Sequence, residues 1–137
     1  MKKVNCQVRC YVHSATNLAS RDEGGLSDPY LVVKLGDKKE RNYRVNYIED
    51  EVSPEIGIVA EFDAVFPGCP ELLVQMWDYD AIFGDDLIGE TRIDLEDRYF
   101  SSEWRTVTNK PIECRELTLS NSSTSQGTVK LWTEIIP

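Results

Sequence analysis

Two clusters of acidic residues, about fifty residues apart, are the part of this chain best suited to chemistry. The first contains Asp22 and Asp28, and the second contains Asp78, Asp80 and Asp86. Carboxylates packed this densely repel one another unless a cation lies between them. Ca²⁺ accepts about six to eight oxygen ligands in flexible geometry, so a basin formed by two such loops would suit it. The alternative is two unrelated, solvated turns.

The spacing within each cluster determines whether the carboxylates can converge. In the first cluster, Gly24-Gly25 allows the loop to fold back, which would bring its two aspartates to one ion. In the second, Asp78 and Asp80 are two residues apart at the end of a strand and therefore project to the same side. Asp86 returns to that side if the intervening segment is a hairpin loop. The spacing is thus compatible with one shared site.

Two large apolar side chains, Ile82 and Phe83, lie at the apex of the second acidic segment. Either they fold back onto the core, or they enter a membrane or a partner once the surrounding charge is neutralised. The segment is not an EF-hand loop beginning at Asp78. The positions that would need an oxygen ligand, a glycine and a glutamate hold Ile82, Phe83 and Gly89.

The composition limits which partners this chain can bind. Its 137 residues suffice for one domain with its own core, and its net charge is −9. A surface this acidic opposes nucleic acid, because phosphate binding needs basic side chains. It also opposes anionic lipid unless bound Ca²⁺ reverses the local charge. We therefore expect no nucleic-acid partner and, for lipid, a dependence on Ca²⁺.

The sequence gives no signal for secretion or catalysis. It contains no apolar run of about 20 residues and no signal peptide, so we expect a cytoplasmic location. The four cysteines fit no zinc-binding spacing and are interpreted as reduced thiols. Asp78 and Asp80 could form an acid–base pair, but the single histidine, His13, belongs to no constellation with a Ser or Cys nucleophile. We therefore expect that the chain is not an enzyme.

The elements that must position the acidic segments are mostly strands. Apolar and polar residues alternate in short stretches bounded by Gly, Pro and Asp, which is typical of a β-sandwich or barrel. The predicted strands are Val4 to Val12, Tyr30 to Leu35, Tyr43 to Ile48, Gly57 to Phe66, Glu71 to Trp77, Leu87 to Leu95, Cys114 to Leu119 and Thr128 to Ile136. One short helix is predicted over residues 94–100, with Asp94 as its N-cap.

The pattern as a whole resembles a C2 domain over nearly the entire chain. The residues that carry the resemblance are Asp22, Ser27-Asp28-Pro29-Tyr30, Trp77-Asp78-Tyr79-Asp80, Asp86 and Ile88-Gly89-Glu90. It implies an all-β fold, an eight-stranded antiparallel β-sandwich with ion-binding loops at one end. It also implies two Ca²⁺ ions held by the side chains of Asp22, Asp28, Asp78, Asp80 and Asp86 and by the backbone carbonyls of Arg21 and Tyr79.

A narrower resemblance is to the C2 domains of ferlins. It lies in residues 60–67, in residues 85–101 and in the closing run from Gly127 to Pro137. The order of the strands resembles the type II circular arrangement of C2 domains. Ferlins are large, tail-anchored proteins of membrane fusion and repair that contain several C2 domains. Residues 1–137 would then be a single C2 domain, one module of a larger protein.

The resemblance implies a module for Ca²⁺-dependent phospholipid binding on the cytosolic face of membranes, monomeric when isolated and acting in fusion, repair or vesicle trafficking. The residues expected to contact the membrane are Leu26, Ile82 and Phe83. A basic patch for anionic lipid would consist of Lys34, Lys38, Lys39, Arg41 and Arg44, although this run is equally typical of an ordinary solvated face. The alternative function is Ca²⁺-independent binding of a protein partner.

One further position bears on the number of ions. Phe83 occupies the position where some relatives carry a serine that adds an oxygen to an outer ion, which argues against a third Ca²⁺. Asp85 could supply an alternative oxygen, or it could be solvated.

Overall fold

The computed structural model describes residues 2–20, 25–120 and 122–137. Within them the chain forms eight strands and two short helices. The strands are β1 (Val4–Thr16), β2 (Pro29–Leu35), β3 (Lys39–Asn42), β4 (Glu55–Phe66), β5 (Leu72–Asp78), β6 (Asp86–Ile93), β7 (Glu113–Glu116) and β8 (Thr128–Ile136). The helices are α1 (Leu95–Tyr99) and α2 (Ser102–Thr106), and a 3₁₀ turn covers Arg44–Asn46. Neither helix is long and apolar enough to span a membrane, and no other helix of the described residues is.

Two four-stranded antiparallel sheets stack as a sandwich, in the orders β4-β1-β8-β7 and β3-β2-β5-β6. The first strand lies inside its sheet, where β8 pairs with it from Thr16↔Thr128 to Gln7↔Ile136. This order confirms the predicted eight-stranded sandwich and its type II arrangement. The core fills the space between the sheets because alternate residues of β1 and β4 point inward. Phe62, Leu72 and Leu131 are fully buried there.

At one end of the sandwich, beside the connection from β7 to β8, lie the three loops that carry the acidic clusters. They are the first loop (residues 17–28), the second loop (residues 43–54) and the third loop (residues 79–85). The register explains why they meet, since Asp78 at the end of β5 is paired with both Pro29 and Asp86. The first and second loops are joined by a hydrogen bond from the Leu18 N–H to the Val52 carbonyl, at 2.8 Å. We call this end of the molecule the loop end.

The strand predicted over Tyr43 to Ile48 is wrong. The third strand ends at Asn42, whose side-chain oxygen accepts a hydrogen bond from the Arg44 N–H at 2.9 Å and so starts the 3₁₀ turn. The apparent alternation arises in a loop, because Tyr43 packs against the core whereas Val45 is 91% exposed. A loop that touches the core at intervals thus gives the same pattern as a strand.

The ends of the chain's other elements follow local signals. Asp94 caps α1 as predicted, because its carboxylate accepts a hydrogen bond from the Asp97 N–H at 3.1 Å. The second helix was not predicted; Ser101 caps it by accepting from the Trp104 N–H. The strand predicted to reach Leu119 ends at Glu116. All four cysteines are free thiols, in agreement with the prediction.

Candidate functional site

Three of the five predicted acidic ligands lie side by side at the loop end. Asp28 closes the first loop, and Asp78 and Asp86 are directly paired across β5 and β6. The Asp28 N–H donates to the Asp78 carboxylate at 2.9 Å, and the Tyr79 N–H donates to the Asp28 carbonyl at 2.9 Å. Asp78 is 1% exposed, whereas Asp86 is exposed. Like charges opposite each other on neighbouring strands are destabilising, so this edge favours a cation.

Asp80, the fourth predicted ligand, shapes the third loop. Its Oδ1 accepts hydrogen bonds from the N–H groups of Ile82 and Phe83, at 2.9 and 3.0 Å. The loop therefore turns tightly around this carboxylate and directs the side chains of Ile82 and Phe83 outward. Ile82 is 82% exposed and Phe83 is 89% exposed. The interpretation in which these side chains fold back onto the core is wrong.

Asp85 is neither solvated nor available as a simple alternative ligand, which corrects both expectations for this residue. Its Oδ2 accepts from the Tyr30 hydroxyl at 2.5 Å and from Arg44 Nε at 2.6 Å. Its Oδ1 accepts from the Asp80 N–H at 2.8 Å and from Arg44 Nη2 at 3.3 Å. The hydrogen bond from Arg44 is the main reason why the pKa of Asp85 falls to about 2, so this carboxylate is charged.

The second loop is part of the site, although the sequence did not indicate it. Its Asp50, at a positive φ of 48°, donates its N–H to the Asp28 carboxylate at 2.8 Å. The ring of Tyr47 stacks on Tyr79 with 3.9 Å between the centroids. The only signal in the sequence was the acidic run Glu49-Asp50-Glu51 between two apolar stretches. The loop thus supports two of the predicted ligand positions from the side.

The chemistry of these residues fits Ca²⁺, which prefers carboxylate and carbonyl oxygens. The predicted side-chain ligand Asp22 and the Arg21 carbonyl lie outside the described residues. Within the residues that are described, no group of three or more His, Cys, Asp or Glu side chains is gathered so that it could hold a metal ion. A complete ligand set therefore requires a contribution from the first loop or a movement of the carboxylates toward one another.

Apolar side chains protrude from each of the three loops. Leu26 of the first loop is 47% exposed, and Ile82 and Phe83 extend from the third. Val45 of the second loop is 91% exposed, although the sequence predicts it to lie in a strand. Apolar groups exposed together at one end of a domain are typical of a membrane or protein contact. The sequence prediction of membrane-contacting residues names three of these four exposed side chains.

Four of the five basic residues proposed as one patch lie in one hairpin, and the fifth lies apart from them. Lys34, Lys38, Lys39 and Arg41 belong to the hairpin of β2 and β3, whereas Arg44 lies at the loop end. Three of the hairpin cations already have partners. Lys34 is 3.6 Å from the Glu40 carboxylate, Lys39 donates to the Asp63 carbonyl, and the Arg41 guanidinium lies 4.8 Å from the centre of the Phe62 ring. Only the Lys34–Glu40 contact offsets a charge, so anionic-lipid binding by the hairpin cations stays a prediction.

Comparison with known proteins agrees with this architecture. The family model described as "C2 domain" matches residues 6–110. The chain is 44% identical over 100 residues to Fer-1-like protein 4 of Mus musculus, covering 73% of this chain and 5% of the relative. It is 36% identical over 137 residues to Ferlin 2 of Toxoplasma gondii, covering 95% of this chain and 10% of the relative. The chain thus spans only a small part of these ferlins.

Solved structures share the fold at low sequence identity. A C2 domain of plant Extended Synaptotagmin 1 has a TM-score of 0.75 at 16% identity, with 100% of this chain and 98% of that chain covered. A calcium-bound structure of two C2 domains of Extended-Synaptotagmin 2 has a TM-score of 0.67 at 23% identity, with 93% of this chain and 45% of that chain covered. With its sandwich, its loop end and its family match, this chain belongs to the C2 domain family, and its curated relatives named above are ferlins.

Proposed function

We propose that this C2 domain is a non-catalytic module that binds phospholipid membranes in response to Ca²⁺. The observation that carries the proposal is the third loop, where Ile82 and Phe83 are 82% and 89% exposed between acidic residues. Exposed apolar groups of this kind are typical of a surface that a membrane or a partner covers. In this proposal the domain is one module of a larger, tail-anchored, ferlin-like protein. It acts on the cytosolic face of membranes during fusion, repair or trafficking.

The charge of the loop end supports a dependence on Ca²⁺. Asp28, Asp78, Asp80 and Asp86, together with Asp22, would hold two ions, with the Arg21 and Tyr79 carbonyls completing the set. Without a counter-charge these carboxylates repel anionic headgroups. Bound Ca²⁺ would supply compensating positive charge and an open position for a headgroup oxygen. The carboxylates themselves orient the site and keep it closed to anionic lipid until that charge is present.

The apolar tip can provide only part of the binding free energy. Complete burial of a side chain such as Ile or Phe is worth about 1.5–3 kcal/mol. Two such side chains, incompletely buried in an interface, would contribute about 2–5 kcal/mol, which corresponds to a Kd between about 30 mM and about 0.2 mM. Electrostatic attraction must therefore add to the apolar contact, so neither part is sufficient alone.

Cosedimentation with vesicles that contain phosphatidylserine tests this function. We expect binding with Ca²⁺ and none in EGTA, and we expect both Asp80→Asn and the double change Ile82→Ser, Phe83→Ser to abolish it. Ile112→Ser is the matched control, because Ile112 is 60% exposed but lies outside the three loops. Normal Ca²⁺-dependent binding by Asp80→Asn would show that the proposed ion site is wrong.

A second candidate function is Ca²⁺-independent binding of a protein partner. The observation that favours it is that Asp80 and Asp85 already accept hydrogen bonds from the third loop and its neighbours. A loop end that is ordered in this way can present its apolar tip without an ion. Capture of a partner in EGTA that is lost in the Ile82→Ser, Phe83→Ser variant, together with no vesicle binding in Ca²⁺, would favour this function.

A further inference from the structure

Arg44 links the second loop to the third at two separate points. Its guanidinium donates from Nε and Nη2 to the Asp85 carboxylate, at 2.6 and 3.3 Å. The same guanidinium lies over the Tyr79 ring, 4.4 Å from its centre. Arginine suits this double role because its planar group can donate along its edge while it stacks through its face. A contact of this kind fixes the direction of one loop relative to another.

Asp85 is the point where three segments of the chain meet. In addition to Arg44 of the second loop, it accepts from the Tyr30 hydroxyl of β2 at 2.5 Å and from the Asp80 N–H of the third loop at 2.8 Å. The Asp85 side chain is only 12% exposed. Hydrogen bonds to a charged group are stronger than those between neutral groups, and burial protects them from water. The Asp80 backbone is thereby anchored to the rigid sheet through a single carboxylate.

Tyr79 is held from two sides by the second loop. The Tyr47 ring covers one face of it, at 3.9 Å and an interplanar angle of 2°. Because that face is occupied, the guanidinium of Arg44 must lie over the other. The Tyr79 N–H is bonded to the Asp28 carbonyl as well. The peptide that precedes Asp80 therefore has little freedom to rotate.

We propose that Arg44 is a positioning residue which, acting with Tyr30 through Asp85, fixes the third loop in one shape before any ligand arrives. The residues so fixed include Tyr79 and Asp80, two of the positions proposed to bind Ca²⁺. Holding a binding loop in its final shape reduces the entropy that is lost on binding. The expected effect on Ca²⁺ affinity rests on the proposed function, whereas the ordering of the loop does not.

Arg44 also carries a positive charge, which would oppose a nearby cation. Its positioning role and its charge thus act on Ca²⁺ affinity in opposite directions, and three variants separate them. Tyr30→Phe removes one hydrogen bond to Asp85 without changing any charge. Arg44→Lys keeps the positive charge but loses the paired hydrogen bonds to Asp85 and the planar group that stacks on Tyr79. Arg44→Gln loses both the positive charge and the paired hydrogen bonds to Asp85.

Amide hydrogen exchange measured by NMR without Ca²⁺ tests the ordering directly. We expect the Asp80 amide to exchange about tenfold faster in Tyr30→Phe and in Arg44→Lys, because a hydrogen bond to a charged group is lost. Arg105→Lys is the matched control, since Arg105 lies over the Tyr99 ring on α1, in another part of the structure. Unchanged exchange at Asp80 in Arg44→Gln would overturn the proposal.

Calorimetric titration with Ca²⁺ tests the consequence for binding. We expect Tyr30→Phe and Arg44→Lys each to raise the Kd about three- to tenfold. In an Asp85→Asn background the further change Arg44→Lys should have a smaller effect, since only the contact of Arg44 with the Tyr79 ring remains to be lost. Tighter binding by Arg44→Gln with unchanged binding by Arg44→Lys would show that charge alone matters and would overturn the positioning role.

The two measurements also distinguish this inference from the proposed function. If the wild-type domain gives no heat with Ca²⁺ while the Asp80 amide still exchanges faster in the variants, the positioning role stands and the Ca²⁺ function fails. If the domain binds Ca²⁺ but neither exchange nor affinity responds to Tyr30→Phe and Arg44→Lys, the function stands and the positioning role fails.

Discussion

Replacing Glu113 with glutamine should destabilise the domain, because this carboxylate fastens α1 to the first sheet. It accepts from Arg98 through both oxygens, at 2.6 and 2.7 Å, and from Arg115 at 2.9 Å. The side chains of Glu113 and Arg98 are 20% and 15% exposed. Breaking a fully buried pair by removing one partner costs about 3–5 kcal/mol. For this partly exposed pair, with one acceptor oxygen retained, we expect Glu113→Gln to cost about 2 kcal/mol.

The stability that Glu113 contributes should decrease as the pH falls. Partial burial raises the pKa of Glu113, but the hydrogen bonds and positive charges of Arg98 and Arg115 outweigh it and lower the pKa overall. A carboxyl whose pKa is lower in the folded state stabilises the fold above its unfolded pKa, which is about 4.3. That contribution is lost as the pH falls through the folded pKa. The stability difference between wild type and Glu113→Gln should therefore be full near neutral pH and shrink below about pH 4.

Urea unfolding at pH 7 and at successively lower pH measures this difference. The matched control is Glu61→Gln, because the Arg9–Glu61 pair, at 3.1 Å, has side chains that are 34% and 48% exposed. Exposed pairs contribute about 0–1 kcal/mol, so the control should change little. A difference for Glu113→Gln that is equal at pH 7 and pH 3, or no larger than that of the control, would refute the reasoning.

Three further changes have clear expected outcomes. Gly89→Ala would place a Cβ 2.9 Å from the Cβ of Leu117, so it should cost about 1–3 kcal/mol in thermal unfolding, whereas Gly25→Ala, with nothing within 4 Å, should not. Asp94→Ala removes the N-cap of α1 and should cost about 1 kcal/mol in the same assay; an unchanged melting temperature would contradict the capping role. Val45→Ser should weaken vesicle binding without lowering stability, because this side chain is 91% exposed; undiminished binding would exclude it from the contact.

The parts of the fold that the sequence predicted well are those governed by local patterns. Alternation located β8 with its observed bounds, because each inward side chain of that strand meets the core. Asp94 was recognisable as a cap since its partner, Asp97, is only three residues away. The strand predicted over Tyr43 to Ile48 failed because Val45 points away from the core within a 3₁₀ turn, which alternation cannot distinguish from a strand.

The sequence predicts which acidic residues lie at the candidate site, but it does not predict which contacts hold them there. The spacing and family resemblance of Asp28, Asp78, Asp80 and Asp86 placed them at one end, where the structure has them. Arg44 and Asp85 are 41 positions apart in the sequence, so patterns between neighbouring residues cannot predict their contact. The sequence therefore groups Arg44 with the other basic residues near it, and it does not reveal the contribution of the second loop.

The pairing of the first strand with the last has a mechanical consequence. β1 and β8 are antiparallel neighbours, so the start of β1 and the finish of β8 lie together at the end opposite the three loops. A pull applied between Val4 and Ile136 would load the hydrogen bonds of this pair one after another, as in a zipper, instead of shearing them all at once. In single-molecule pulling the domain should yield at low force. Opening would begin at the far end, so the loops would keep their shape while the first bonds part.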